Sequence, residues 1–359
     1  MPRNTNDNIG LPPTWLLPRG VIVLLGTAGL IVTVAGIKSF AEIVAPVMLA
    51  LMLTVAVHPL PDWLRSKGMP RILALIVALI TVYAVVFALV GSLVVSISQL
   101  ADLLPTYTDE FNDLVGNAKD ALQAGGVHPD QVNSMLADVD STKVFGFVED
   151  LVKGFLGKIT NLVFIVTLLL FMAVDGMSYS PRLESLSQSR ADIASAVSSF
   201  ATGTRRYLVV TTVFGLIVAV LDTAALWALG VPLPLLWGAL SFITNYIPNI
   251  GFVLGLIPPA LLGLLEGGPE LMLAVIAVYC VLNVVIQSVI QPKFVGDAVG
   301  LSVTLTFLSL IFWTWVLGPL GAILAVPLTL MAKAFLVDID PATRWADIFL
   351  NSKPPADQT

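Results

Sequence analysis

The chain has 359 residues, of which 57% are hydrophobic and only 12% are charged. Soluble domains typically contain roughly 45–50% apolar and about 25% charged residues, so this composition excludes an ordinary soluble protein and predicts one that lies in a lipid bilayer. The formal net charge of −6 at pH 7 argues against nucleic acid as a partner.

Long apolar runs, taken in chain order, predict the membrane-spanning segments. They are 21–37, 43–57, 72–97, 155–174, 207–229, 235–247, 251–265, 271–291, 301–317 and 320–337. A transmembrane helix needs about 20 residues, and roughly 17–25 is the usual range. We predict an all-α polytopic membrane protein with about eight transmembrane segments, and with broken or re-entrant helices in its C-terminal half.

Basic residues predict the orientation, because cytoplasmic loops carry an excess of Lys and Arg. They cluster before the first run, between the second and third runs, and between the fourth and fifth runs: Arg3, Arg19, Arg65, Lys67, Arg71, Arg182, Arg190, Arg205 and Arg206. Segment 98–158 instead holds ten acidic and four basic residues, so we expect it outside. Lys333, Arg344 and Lys353 follow the last run, which places both termini in the cytoplasm.

This topology divides the chain into N-terminal transmembrane helices (1–97), an acidic extracytoplasmic insertion (98–158), a C-terminal transmembrane region (159–340) and a cytoplasmic tail (341–359). Apolar residues of the insertion recur at helical spacing from Leu100 to Leu122, which predicts an amphipathic helix. We expect it to end at Gly125-Gly126 and a second helix to begin near Pro129. Few basic residues flank the apolar face, so we expect it to pack on protein rather than on lipid.

The stretch from Trp237 to Pro259 is apolar, yet its middle reads Asn245-Tyr246-Ile247-Pro248-Asn249-Ile250-Gly251. Proline removes a backbone donor and clashes with the preceding turn, so a continuous helix is not expected there. Such a break survives in a membrane only where it is buried in protein or lines a wet cavity. Many secondary transporters build their substrate sites from broken helices. We predict a re-entrant hairpin with arms 235–247 and 251–265.

A second apolar region is interrupted at Gly318-Pro319-Leu320-Gly321. Two breaks in corresponding positions are what a repeat around a central site predicts. However, Trp313 and Trp315 precede this break, and tryptophan prefers the membrane–water interface. Residues 301–337 therefore form either a second re-entrant hairpin or two full crossings.

Asn283, Gln287 and Gln291 lie four residues apart and share one face of a predicted helix. Each buried amide without a partner costs about 2–7 kcal/mol, so this face must contact protein or water. The amides either bind a solute or make interhelical hydrogen bonds of about 0.6 kcal/mol each. The break at Gln291-Pro292 favours a solute site.

Asp222 is the only acidic residue well inside a predicted span, where it costs roughly 2.5–3.5 kcal/mol. It either couples a proton or cation to transport, or bonds a neighbouring hydroxyl or amide. The predicted solute contacts are Asn245, Asn249, Asn283, Gln287 and Gln291. The residues predicted to shape the backbone around them are Pro248, Gly251, Pro292 and Gly318.

The sequence lacks the motifs of ATP hydrolysis, metal binding and nucleophilic catalysis. The sequence contains no P-loop, and His58 and His128 are too far apart for a histidine-rich metal site. No nucleophile has a plausible histidine partner, so we expect no catalysis, metal or cofactor. A site of amides and hydroxyls suits an uncharged polar solute, because phosphates and dicarboxylates call for Arg or Lys.

Several blocks carry a family resemblance: Glu42-Ile43-Val44-Ala45-Pro46, Trp237-Gly238, Asn245 to Gly251, Gln291-Pro292-Lys293, Leu308 to Trp313, Gly318 to Gly321 and Val326-Pro327-Leu328. In the order and spacing of these blocks, the chain resembles the autoinducer-2 exporter family of PerM-like permeases. The resemblance implies a homo-oligomeric permease of the bacterial inner membrane that exports the quorum-sensing signal autoinducer-2. Other branches are linked to sodium/proton exchange or have no known substrate.

Two departures from the family pattern bear on coupling. The family often has Lys or Gln where Thr211 stands here, and an acid where Gln291 stands. Both differences remove charge, which weakens ion coupling and leaves neutral-solute export intact. We therefore predict an exporter of a small uncharged metabolite in the bilayer. The alternatives are a sodium/proton antiporter centred on Asp222 and a non-transporting scaffold whose outer helices bind a partner.

Overall fold

The computed structural model describes residues 18–126, 160–176, 179–248, 250–291 and 301–340, with the single residues 128, 131, 146, 150, 343 and 350. The helices in these ranges are α1 (Arg19–Ser39), α2 (Ala41–Val57), α3 (Pro59–Ser66), α4 (Arg71–Leu103), α5 (Thr108–Ala124), α6 (Thr160–Gly176), α7 (Tyr179–Ser189), α8 (Ala191–Ala228), α9 (Pro234–Thr244), α10 (Gly251–Asn283), α11 (Val303–Leu317), α12 (Pro319–Ile323) and α13 (Ala325–Lys333). Two π-helical segments, Val284–Ile290 and Ala334–Asp338, extend α10 and α13.

The described residues form no strand, which confirms the predicted all-α polytopic architecture. Five of their helices are long and apolar enough to cross a membrane, and a sixth is obtained if 162–176 and 181–189, which meet at 62°, form one span. Outward-facing apolar side chains such as Leu24, Ile72 and Val163 are about 70% exposed, as expected of surfaces in contact with acyl chains. The predicted number of eight segments stays a prediction.

One of those five helices folds back on itself. Within α10, Gly267 and Gly268 leave helical geometry, and Gly268 has φ = 70°, which glycine adopts without steric cost. Pro269 then opens the second half of α10 at the first-turn position that proline favours. The halves pack side by side, since a Cβ on Gly263 would lie 3.4 Å from a Val275 methyl group.

The predicted hairpin is present, and we call α9, the 245–250 turn and the first half of α10 the hairpin. A Cβ on Gly251 would lie 1.8 Å from the Thr244 carbonyl oxygen, so the two arms meet in a contact that only glycine allows. The 11 residues of α9 span about 16 Å, and 251–266 span about 24 Å. Neither arm reaches the roughly 30 Å of a hydrocarbon core, as expected of a re-entrant element.

The second break also forms an antiparallel pair, α11 against α12 and α13, joined at Gly318 with φ = 69°. The indole N–H of Trp313 donates to Thr329 Oγ1 at 3.0 Å across this pair. Lys38, at the end of α1, lies 3.9 Å from the centre of the Trp315 ring. Gly318 is therefore close to the α1–α2 junction, which favours two crossings over a mid-membrane tip.

The two broken regions contact each other in the core. Ile247 and Ile250 of the hairpin tip pack against Leu310, Ala322 and Ala325 of the second pair. A larger cluster joins α2, α8 and α11–α13, and another joins α4, α9 and α10. Helix α8 contacts both broken regions and so connects the two halves of the C-terminal bundle.

Helix α4 runs past residue 98, the predicted start of the insertion. Helix α4 continues to Leu103, a 3₁₀ turn covers Leu104–Tyr107, and α5 ends at the predicted Gly125-Gly126. The Tyr107 hydroxyl donates to Glu266, which ties the base of the insertion to the turn inside α10. The second helix predicted from Pro129 lies outside the described residues.

We expect Gly251→Ala to destabilise the protein by about 3 kcal/mol, because the added methyl group overlaps the Thr244 carbonyl. Thermal unfolding in detergent measures the effect as a lower melting temperature. Gly29→Ala is the matched control, since a Cβ there has no neighbour within 4 Å. Equal melting temperatures for the two variants would contradict the close contact of the arms.

Candidate functional site

Helix α8, the hairpin and the C-terminal half of α10 enclose a small polar space, which we call the amide cavity. Its polar wall consists of Asp222, Ser241, Thr244, Asn245, Tyr279, Asn283 and Gln287. The enclosed volume is about 10 Å³, close to the minimum that one water molecule requires. In this conformation the cavity is closed to any larger solute.

Three amides connect the hairpin tip to the end of α10. Gln287 Nε2 donates to the Oδ1 atoms of Asn245 and Asn283, at 2.8 Å in both cases. Asn283 Nδ2 donates to the Tyr279 carbonyl at 2.9 Å, and Asn245 Nδ2 donates to the Thr211 carbonyl at 3.2 Å. The chain of donors therefore runs from α10 through the tip to the backbone of α8.

Local backbone features bring these amides together. Asn245 caps the C-terminal end of α9, and its side chain fits against α8 because Gly215 has no Cβ, which would lie 2.7 Å from Asn245 Nδ2. Gln287 lies in the π-helical segment Val284–Ile290. A π segment shifts the register of the side chains, and such segments are frequent at functional sites.

Protein groups shelter the broken backbone at the tip. The Tyr207 hydroxyl donates to the Tyr246 carbonyl at 2.9 Å, and the Tyr246 hydroxyl lies 2.6 Å from Thr212 Oγ1. Within the turn, the Ile247 N–H donates to the Thr244 carbonyl at 2.8 Å, and the Gly251 N–H to the Ile247 carbonyl at 2.9 Å. These bonds meet the requirement that backbone polar groups in a membrane have partners.

The opposite wall holds polar atoms without partners. Asp222 is 0% exposed, and neither of its carboxylate oxygens has a hydrogen-bond partner among the described residues. Ser241 Oγ and the Tyr279 hydroxyl likewise lack a well-aligned partner, although the Ser241 hydroxyl lies close to both Asp222 and Tyr279. Leaving a buried donor or acceptor unsatisfied costs about 1–3 kcal/mol, so this wall has unused capacity to bind a polar guest.

The cavity lies deep in the predicted membrane. Arg206 is the last of the basic residues expected at the cytoplasmic surface, and α8 continues from there towards the outside. At 1.5 Å per residue, Gly215 and Asp222 lie about 14 and 24 Å further along that helix. In a hydrocarbon core of about 30 Å, the cavity extends from the middle into the outer half.

The structure brings together most of the predicted site residues that it describes. Asn245, Asn283 and Gln287 form the amide chain, and Asp222 lines the same cavity, although it was predicted only as a possible coupling group. Gln291 is half-buried and does not line the cavity, because the π segment separates it from the face of Asn283. Asn249 and Pro292 lie outside the described residues. The solute contact of Asn249 and the backbone-shaping role of Pro292 stay predictions.

Pro248, Gly251 and Gly318 differ in their relation to the cavity. Pro248 lies at the tip, and Gly251 allows the arms to touch, so both shape the cavity through the hairpin. Gly318 does not line it and acts at the second break, which supports the tip from the other side. Its predicted role is therefore indirect.

Sequence reasoning missed Ser241 and Thr244, which line the cavity from α9. Ser241 precedes Asn245 by one helical turn, and this spacing places both side chains on one face. This four-residue spacing is visible in the sequence. It was overlooked because hydroxyl groups bonded to their own helix are common in membrane segments.

Comparison with known proteins agrees with this architecture. The family profile described as AI-2E family transporter matches residues 22–340. The chain belongs to the AI-2E transporter family. Family membership identifies a multi-pass bacterial membrane transport protein, and the predicted resemblance is confirmed.

Individual members of the AI-2E family match nearly the whole length of the chain. It is 31% identical over 319 residues to the putative transport protein YhhT of Escherichia coli strain K12, covering 88% of this chain and 90% of the relative. It is 29% identical over 316 residues to the AI-2 transport protein TqsA of the same organism, covering 88% and 91%. A putative transport protein of Haemophilus influenzae is 29% identical over 329 residues, covering 90% and 94%.

We expect Asn245→Ala and Gln287→Ala to show an interaction energy of about 1 kcal/mol in a double-mutant cycle, because each removes the same 2.8 Å hydrogen bond. Thermal or denaturant unfolding of the two single variants and the double variant measures it. Pairing Asn245→Ala with Thr306→Val is the control, since the Thr306 hydroxyl donates to the Ser302 carbonyl one turn earlier in the chain. Additive effects in both pairs would contradict the amide chain.

Proposed function

We propose that this protein exports a small uncharged polar metabolite, with the signal autoinducer-2 as the leading candidate, and that it does so without hydrolysing ATP. The amide cavity supports the proposal, because Asn245, Asn283 and Gln287 line it beside a break in an apolar hairpin. Location in the inner membrane, both termini in the cytoplasm and assembly of several copies belong to the same proposal.

The chemistry of the cavity supports an uncharged solute. Among the described residues, its wall offers amides and hydroxyls, which both donate and accept hydrogen bonds, together with the carboxyl group of Asp222, and no Lys or Arg. A phosphate or dicarboxylate would need such a cation in place. One relative is described as an AI-2 transport protein, which supports autoinducer-2 as the candidate.

Transport requires the hairpin to move, because a space of about 10 Å³ holds no solute larger than water. The tip is held by polar bonds, among them those of Tyr207 to Tyr246 and of Gln287 to Asn245, and by the apolar packing of its isoleucines described above. We propose that a solute replaces the bonds between the amides as the tip separates from α10. The described conformation is then the occluded state of an alternating cycle.

Efflux of autoinducer-2 from cells that lack or overproduce the chain tests the proposal. We expect overproduction to raise the external concentration of the signal and to lower the internal one. Asn245→Ala and Asn283→Leu are expected to reduce flux about 5- to 10-fold, the effect of losing a hydrogen bond of about 1–1.4 kcal/mol.

Thr306→Val serves as the control because its hydroxyl bonds its own helix away from the cavity, so flux should persist. Protein levels in the membrane are matched by immunoblotting. Unchanged flux in both asparagine variants would remove them from the solute site and leave interhelical bonding as their role.

Asp222 supports a second candidate, a sodium/proton antiporter. A fully buried carboxyl group whose oxygens have no partner in the described chain is suited to carry a proton or a cation. The scaffold alternative has no comparable support, since the chain belongs to a transporter family.

Vesicles that contain the purified protein test this second candidate. If it holds, a sodium gradient drives proton movement, and Asp222→Asn abolishes it because the amide binds no proton at neutral pH. Glu270→Gln, an exposed acid outside the cavity, should retain exchange. Absence of exchange in the wild type, or its persistence in Asp222→Asn, would reject the antiporter.

A further inference from the structure

A second and larger space lies beside the C-terminal end of α2, and we call it the interfacial cavity. Helices α2, α6, α7 and α8 and the segment after α13 enclose about 400 Å³, within the range of ligand pockets. Its wall is mostly apolar, with Leu51, Met172, Val197 and Phe200 among its members. His58, Tyr179, Arg182 and Arg205 add polar groups, and none of these residues lines the amide cavity.

A proline positions the central cation of this cavity. In a continuous helix the Val55 carbonyl would accept from the N–H of residue 59, but Pro59 has none. Arg205 Nε donates to that carbonyl instead, at 3.3 Å. The guanidinium of Arg205 is thereby held at the cavity wall, and its terminal nitrogens make no further hydrogen bond within the described ranges.

A second donor lies beside this guanidinium. The Tyr179 hydroxyl is buried, has no hydrogen-bond partner among the described residues and belongs to a residue that lines the same cavity as Arg205. The His58 ring packs edge-on against Tyr179 with centroids 5.9 Å apart, and His58 Nδ1 lies 3.5 Å from Asp62. The cavity wall therefore holds a phenol hydroxyl without a partner and a guanidinium in a set position. An anionic oxygen of a ligand would accept hydrogen bonds from both.

The rim of the cavity adds one charge of each sign. Arg182 and Asp175 line it and are both exposed. Two guanidinium groups therefore face one carboxylate, which leaves the cavity with a net positive charge before His58 is considered. This balance suits a ligand with a single net negative charge.

The surroundings favour a lipid over a free anion. Arg182 and Arg205 belong to the segments predicted at the cytoplasmic surface, where anionic lipids attract basic residues. The apolar wall continues to Phe335, which is 49% exposed, so the cavity adjoins the surface that faces acyl chains. Inorganic phosphate would leave that wall unused.

We propose that the interfacial cavity binds one anionic phospholipid, with its phosphate against Arg205, Tyr179 and Arg182 and an acyl chain along the apolar wall. Phosphatidylglycerol has the required single charge. The site is separate from the amide cavity, so the proposal stands or falls independently of the transported solute.

Native mass spectrometry of the delipidated full-length protein in detergent tests the proposal, with phosphatidylglycerol as the probe. We expect one tightly bound lipid per chain and weaker binding of phosphatidylethanolamine. Arg205→Gln keeps a donor for Val55 but loses the charge, and should weaken binding at least about tenfold. Arg182→Gln, at the exposed rim, should weaken it about two- to fivefold.

Arg190→Gln is the matched control, because Arg190 is exposed at the end of α7 and does not line the cavity. It should bind as the wild type does. Three results would overturn the proposal: equal binding of the two lipids, equal loss in all three variants, or displacement of the lipid by millimolar inorganic phosphate. The last result would assign the cavity to a free anion, and melting temperatures confirm that each variant is folded.

Discussion

Backbone N–H and C=O groups cannot remain without partners in hydrocarbon. This constraint explains how the backbone of the hairpin, which contacts both α8 and the second broken region, is hydrogen-bonded. Pro248 and its neighbours interrupt the helix within a stretch that is apolar enough to lie in a bilayer. The interruption persists because Tyr207 donates to the Tyr246 carbonyl and because the turn satisfies its own N–H groups. The same turn places Asn245 against α8 and Gln287. The turn that satisfies the broken backbone therefore also forms one wall of the amide cavity.

The constraint acts again at the end of α2. Pro59 leaves the Val55 carbonyl without its helical donor, and Arg205 replaces it. In both places a break in the helix leaves a backbone carbonyl without its helical donor, and a side chain of α8 donates to it. Helix α8 therefore aligns the broken hairpin with the N-terminal helices, and the two cavities lie along one helix at different depths. A movement of the hairpin against α8 would act on the amide cavity first, because the tip bonds α8 directly.

Much of the fold was accessible from the sequence. Composition predicted the membrane, and the break at 245–251, the all-α class and the end of the first insertion helix agree with the structure. Helix α4 continues past the predicted start of the insertion for a simple reason. Apolar periodicity continues from α4 into the insertion without interruption, so no change of pattern marks the membrane boundary. The fold-back at Gly267-Gly268 was predicted only as a gap between two runs, since two glycines permit a turn without dictating its direction.

The candidate site divides in the same way. The sequence by itself determined that residues 245–251 cannot continue a helix and that Asn283 and Gln287 share a face, because proline chemistry and helical spacing are local properties. Only the tertiary structure decided that Asp222, Ser241 and Thr244 join them and that Gln291 does not. Those outcomes depend on the π-helical segment and on the close approach of Gly215 to Asn245, which arise from packing between helices that are distant in the chain.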